Sequence, residues 1–132
     1  MSKMIRKNIS VREAACPHCG KLPSDRLLDR LQALREACSF PLPFRSINRC
    51  PIHNKLVGGH INSVHQLGAQ DNDYGAGDIG LHKRYSKKRY ILLNRALRLG
   101  FNNIEVCNGH IHAGIAPKGH PMYDSLYWGI SQ

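Results

Sequence analysis

Ile104-Glu105-Val106-Cys107-Asn108-Gly109-His110-Ile111-His112-Ala113-Gly114-Ile115 is the stretch that decides the fold. Two runs of strand character flank Asn108-Gly109, and an Asn-Gly pair in that setting is a strong short-range hairpin signal. Side chains alternate faces along a strand. His110, His112 and Gly114 therefore share one side, while Ile111, Ala113 and Ile115 share the other and face the core. Two imidazoles on one strand face can bind a single metal ion.

Two helices flank this sheet in sequence. Leu27, Leu28, Leu31, Leu34, Ala37 and Cys38 recur at helical spacing from Ser24 to Cys38. Ser24 suits the N-cap, and Pro41 and Pro43 prevent continuation. A second helix is expected from about Ser86 to Leu99, with Tyr90, Leu93 and Leu97 as its apolar stripe, Leu92, Ala96 and Leu99 widening it, and Gly100 ending it. Leu42 to Ile47 reads as a short extended segment, and residues 1–15 as a leader strand or loop. Residues 116–132 close the domain, with Tyr123, Tyr127 and Trp128 over apolar surface. The expected architecture is a small α+β domain spanning residues 1–132, an antiparallel sheet with helices packed on one side.

Composition narrows the partners. A chain of 132 residues makes one domain and is short for two. No apolar run is long enough to span a membrane. Met1 to Ser10 carries positive charge with no hydrophobic stretch behind it, so no signal peptide is recognisable. The net charge of +10 attracts polyanions without naming them: nucleic acid, anionic lipid and the anionic polymers of a cell wall all fit. The charge is concentrated from His82 to Arg89, either a solvated helix face or a docking surface. Five cysteines read first as reduced thiols. Cys16-Pro17-His18-Cys19-Gly20 has the gap of half a zinc knuckle, which Cys38, Cys50 or a nearby His could complete.

Residues 58–80 turn to Gly, Asn, Asp, Ser and His with little periodicity, and a long stretch of that kind is usually functional or disordered. It holds His60, His65, Asp71, Asp73 and Asp78. A catalytic zinc needs about three protein ligands and one open position for water, and these residues can complete a set begun on the hairpin.

Here the chain resembles a known family. Ser63-Val64-His65-Gln66-Leu67-Gly68 followed by Ala76-Gly77-Asp78-Ile79 is similar to a split form of the SxHxxGxAxDI signature of M15 zinc peptidases, the D-Ala-D-Ala carboxypeptidases and phage L-alanyl-D-glutamate endopeptidases. Ser46 to Asn54 and Val57-Gly58-Gly59 resemble the family's SGYRCPxHN…VGG block. Gly109 to Gly114 resembles its FIHxD strand. Cys16 to Lys21 before a Leu-rich helix is similar to the opening of small M15A-like members. The resemblance covers about residues 12–117 in the family's motif order. It implies the hedgehog/DD-peptidase fold, Zn²⁺ on His65, Asp78 and His112, Arg49 holding substrate and stabilising the oxyanion, and Ser63 at the signature serine. The implied partner is bacterial peptidoglycan, with anionic wall polymers as a further attachment, reached through a membrane pore or by phage lysis.

The chain departs from the family in two places. The signature spacing puts the aspartate at Asn72, a weak ligand, so an insertion after Gly68 is inferred; Asp73 or Asp71 are the alternatives to Asp78. Gly114 stands where the family has an Asp, and His110 replaces an apolar residue, which makes His110 the local candidate for general base. Two rival readings follow: a wall-binding module of the same fold with impaired catalysis, and a basic metal-dependent nuclease or nucleic-acid binder. The absence of a compact ββα-metal pattern and the sparse aromatics in the basic run argue against nucleic acid. The motifs do not distinguish between the two peptidoglycan bonds.

Overall fold

The computed structural model describes residues 3–69 and 72–129. The chain opens with a small hairpin, β1 (Met4–Arg6) and β2 (Ile9–Ser10), then a single helical turn, α1 (Val11–Ala14). Ser10 and Glu13 form a reciprocal capping box on α1, and the other Glu13 oxygen accepts from the Phe44 backbone N–H at 3.0 Å. That carboxylate docks the N-terminal segment onto the sheet.

The helix α2 (Asp25–Cys38) has the expected bounds, with Ser24 Oγ accepting from the Leu27 N–H. After it come β3 (Phe44–Ser46), the short helix α3 (Pro51–Leu56), a 3₁₀ turn at Val64–Leu67, β4 (Gly75–Gly80), α4 (Ser86–Arg98), β5 (Asn103–Val106), β6 (His110–Ile115) and β7 (Ser125–Trp128). The main sheet has the order β3-β4-β6-β5-β7. Its first four strands pair antiparallel, while β7 adds to β5 in parallel, so the sheet is mixed at one edge rather than wholly antiparallel. The fold is a small single-domain α+β structure. Among the described residues no helix is long and apolar enough to cross a membrane.

The hairpin of β5 and β6 forms as its alternation requires, with the Cys107 N–H donating to the His110 carbonyl across Asn108-Gly109. Ile111, Ala113 and Ile115 enter the core with Ile79 and Ile104, under Leu27, Leu28, Leu31 and Leu34 of α2 and Leu92 and Ala96 of α4. Both long helices thus cover one face of the sheet, and His112, Glu105 and Asp78 project from the other.

The α4 stripe differs from expectation. Tyr90 and Leu97 are 72% and 62% exposed, and the buried positions are Arg89, Leu92 and Ala96. Arg89 displaces the tyrosine because its guanidinium donates to the carbonyls of Cys107 and His110, fastening α4 to the hairpin turn. The basic run is therefore not a uniform solvated face.

β4 sits against the 3₁₀ turn at a tight crossing. Gly75 has φ +141°, and a Cβ there would lie 2.5 Å from Leu27 Cδ2 and 3.0 Å from Gly68 Cα. Neither the backbone angle nor the Gly68 backbone accommodates a methyl group. Gly75→Ala is expected to destabilise the protein by about 1–3 kcal/mol. A lower urea midpoint at unchanged slope would register this; an unchanged midpoint would contradict the packing described.

Candidate metal centre

Three elements bring the site together. Asp78 lies on β4 directly opposite His112 of β6. His65 lies in the 3₁₀ turn, whose N-terminus is capped by Ser63 Oγ accepting from the His65 N–H at 3.4 Å. His65 Nε2 and His112 Nδ1 are each 3.0 Å from the same oxygen, Asp78 Oδ1. The two rings meet edge to face with centroids 5.0 Å apart.

Hydrogen bonding fixes where the protons are. The Ile47 carbonyl can only accept, so His65 Nδ1, 2.8 Å away, is the donor. At His112 the fixing runs through a chain. Ser125 Oγ donates to the Met122 carbonyl at 2.7 Å and accepts from Asn103 Nδ2 at 2.9 Å. Asn103 Oδ1 then faces His112 Nε2 at 2.6 Å, which makes Nε2 the N–H. In the neutral imidazoles, the remaining nitrogens both aim lone pairs at a carboxylate oxygen. Three electron pairs converging on one point repel each other unless a cation, a proton or a metal ion, lies among them.

Without a metal, a proton on the imidazoles fills that role. Burial by itself would raise the Asp78 carboxyl, but the charge of His65 and the hydrogen bonds with His112 and His65 hold it well below the usual carboxylate range. Burial lowers the pKa of His112, favouring the neutral ring that a metal needs. Ligand atoms at about 2.0–2.1 Å from a tetrahedral zinc stand about 3.3 Å apart, close to the 3.0 Å spacing found. His65, Asp78 and His112 can therefore hold a metal ion.

Of the alternative third ligands, Asp73 is turned toward Arg30, with its carboxylate 3.4 Å from the guanidinium. Asp71 lies outside the described residues.

Arg49 reaches the far side of the aspartate, its Nη2 3.5 Å from Asp78 Oδ2. It is held there by Nη1 donating to Asn54 Oδ1 at 3.0 Å and Nη2 to Ser46 Oγ at 3.2 Å. Arg49, His60, Ser63, His65, Asp78, Asn103, Glu105, His110, His112 and Tyr127 all border one cleft of about 410 Å³. All six residues singled out from the sequence (Arg49, Ser63, His65, Asp78, His110 and His112) thus fall on the same cleft. Ser63 has a structural duty there as well, orienting the turn that carries His65.

Two residues of the site were not anticipated. Glu105 pairs with His112 across the hairpin, and residues directly opposite share a face. Its carboxylate, the Cys107 thiol and the ring nitrogen that His110 offers lie within 4.8 Å of one another, so they form a second group beside His65, Asp78 and His112. Asn103 is the other. A Cβ on Gly114 would sit 3.1 Å from both Asn103 Oδ1 and His112 Nε2. The space that a side chain at 114 would need is taken by Asn103, which supplies His112 with its hydrogen-bond partner.

Removing that partner frees the ring to rotate and to exchange tautomers. Asn103→Ala is expected to weaken metal binding by roughly 10–100-fold, measured by competition with a chromogenic chelator. Unchanged affinity would show that Asn103 does not orient His112.

Comparison with family models, curated proteins and solved structures gives no match to this chain.

Proposed function

We propose that this chain is a zinc peptidase of the M15 type that hydrolyses a peptide bond in the stem peptides of bacterial peptidoglycan. The observation that carries the reading is the convergence of His65 Nε2, Asp78 Oδ1 and His112 Nδ1 on one point of a cleft that also presents Arg49 and Glu105. The motif resemblance in the sequence supports the same three residues. Zinc at this position would bring the pKa of a bound water toward neutrality and polarise the scissile carbonyl.

The chain's own groups divide the remaining work. Arg49 presents a planar fork suited to a substrate carboxylate or a developing oxyanion. Glu105, with His110 beside it, takes a proton from the attacking water and returns it to the leaving amine. An acid on β5 favours the enzyme over a binding module, because the base that Gly114 cannot provide has a replacement on the neighbouring strand. The exposed members of the basic run hold the protein near anionic wall polymers, an attraction that salt screens. The enzyme reaches the wall through a pore or on lysis.

Digestion of purified peptidoglycan by the zinc-loaded protein, followed by mass spectrometry of the fragments, tests the proposal. Release of D-alanine identifies a carboxypeptidase; new D-glutamate amino termini identify an endopeptidase. Fragments identical with and without protein would refute the peptidase reading.

A further inference from the structure

The cysteines of the N-terminal segment form a second constellation on another part of the molecule. Cys16, Cys19 and Cys50 offer sulfur atoms within 4.8 Å of one another. They come from a short turn after α1 and from the residue that precedes α3, far apart in sequence.

The turn is built in the manner of a metal knuckle. The Cys16 N–H donates to the Lys21 carbonyl at 2.9 Å, and the Gly20 N–H donates to the Cys16 carbonyl at 2.8 Å. Gly20 takes φ +74°, which closes the turn at little steric cost. Backbone N–H groups of Cys50, Cys19 and His18 point at Cys16 Sγ, the first at 3.4 Å. The His53 N–H points at Cys50 Sγ, also at 3.4 Å. Amides gathered around sulfur stabilise thiolate rather than thiol. His18 Nδ1 lies 3.6 Å from Cys50 Sγ, and a sulfur and a nitrogen on one tetrahedral zinc stand about 3.5 Å apart. Cys38 and Cys107 are buried elsewhere, Cys107 in a separate group with Glu105 and His110.

We propose that Cys16, Cys19, Cys50 and His18 form a structural zinc site, separate from the His65–Asp78–His112 centre. Three thiolates and an imidazole select a soft-to-borderline divalent cation and leave no open position, as a structural site requires. The metal joins the knuckle to the segment carrying Arg49, which immediately precedes Cys50. Asn48, on the other side of Arg49, is already tied to the knuckle through Nδ2 donating to the Lys21 carbonyl at 2.7 Å. The site therefore fixes both flanks of the arginine that lines the cleft.

Cobalt substitution of the full chain tests this without reference to activity. Cys107, which groups with Glu105 and His110, is a second possible source of sulfur, so a sulfur-to-cobalt charge-transfer band in the near ultraviolet is assigned to the cysteine site by its persistence in Cys107→Ser. The band is expected in the unaltered protein and in the double variant His65→Ala/His112→Ala, and is expected to vanish in Cys50→Ser. Zinc content should fall from two ions per chain to one in Cys19→Ser, Cys50→Ser and the double histidine variant. His18→Ala should surrender zinc to a chelator faster; an equal rate would remove His18 from the ligand set. A wild-type cobalt spectrum without the band overturns the proposal even if the cysteine variants fail to fold. So does a native mass lower by two hydrogens at these cysteines, the mark of a disulfide.

Discussion

Asp78→Ala is expected to strip the cleft of its metal and to reduce peptidoglycan cleavage by on the order of a thousandfold or more. Among the described residues Asp78 is the group that faces both imidazoles and Arg49. Without it the nitrogens of His65 and His112 lose their shared partner, and Arg49 is left with Asn54 and Ser46 among the described residues. Breaking one member of a buried charged cluster costs about 3 kcal/mol, so the metal-free variant should also unfold at lower urea than the metal-free parent. Asp78→Asn separates the two effects. Its amide preserves the shape and can donate to one imidazole lone pair, so stability should largely return while metal binding does not. Asp73→Ala, which removes only a partly exposed partner of Arg30, should keep both metal and activity. Normal zinc content and cleavage in Asp78→Asn would dismiss this residue as the third ligand.

Glu105→Gln is the second large effect. The substitution is nearly isosteric, keeps the strand pairing of β5 with β6 and takes away only the ability to accept a proton. Loss of a general base lowers turnover by about 10²–10⁴-fold. Zinc content and KM should stay near those of the parent, since the ligands and Arg49 are untouched. His110→Gln provides the comparison. If Glu105 carries the proton and His110 orients it, the histidine variant should lose less. A His110→Gln variant that falls as far as Glu105→Gln would mean that the two act as one unit, whereas full activity in Glu105→Gln would return the base to His110.

The hairpin and both long helices were legible because their signals are local. Alternation on β6, an Asn-Gly pair, leucines at helical spacing and a serine cap require no knowledge of the rest of the chain. β4 was hidden for the opposite reason. Gly75-Ala76-Gly77-Asp78-Ile79-Gly80 has few β-branched side chains, and its extended form comes from lying between β3 and β6. Its glycines are a packing requirement, since a Cβ on Gly77 would meet Phe44 at 2.9 Å. The short helix α3, between Cys50 and Gly58-Gly59, has six residues and too little periodicity to read. The α4 stripe departs from its leucine pattern at Arg89, a residue type normally found in solvent, whose burial depends on two carbonyls of a distant turn.

At the site, Arg49, Ser63, His65, Asp78, His110 and His112 carry a sequence signal. Glu105 and Asn103 had none taken singly. Cross-strand register could have found Glu105, because once Asn108-Gly109 is taken as the turn, counting back pairs it with His112. Asn103 could be recognised only with β7 in view.

That last dependence bears on how the protein matures. His65, Asp78 and His112 all leave the ribosome before Ser125, yet Ser125 aligns the Asn103 amide that sets the proton on His112. Docking of β7 along β5 is thus what places the partner of His112. A nascent chain can therefore hold His65, Asp78 and His112 and still lack the contact that orients His112, which is a property of the finished sheet.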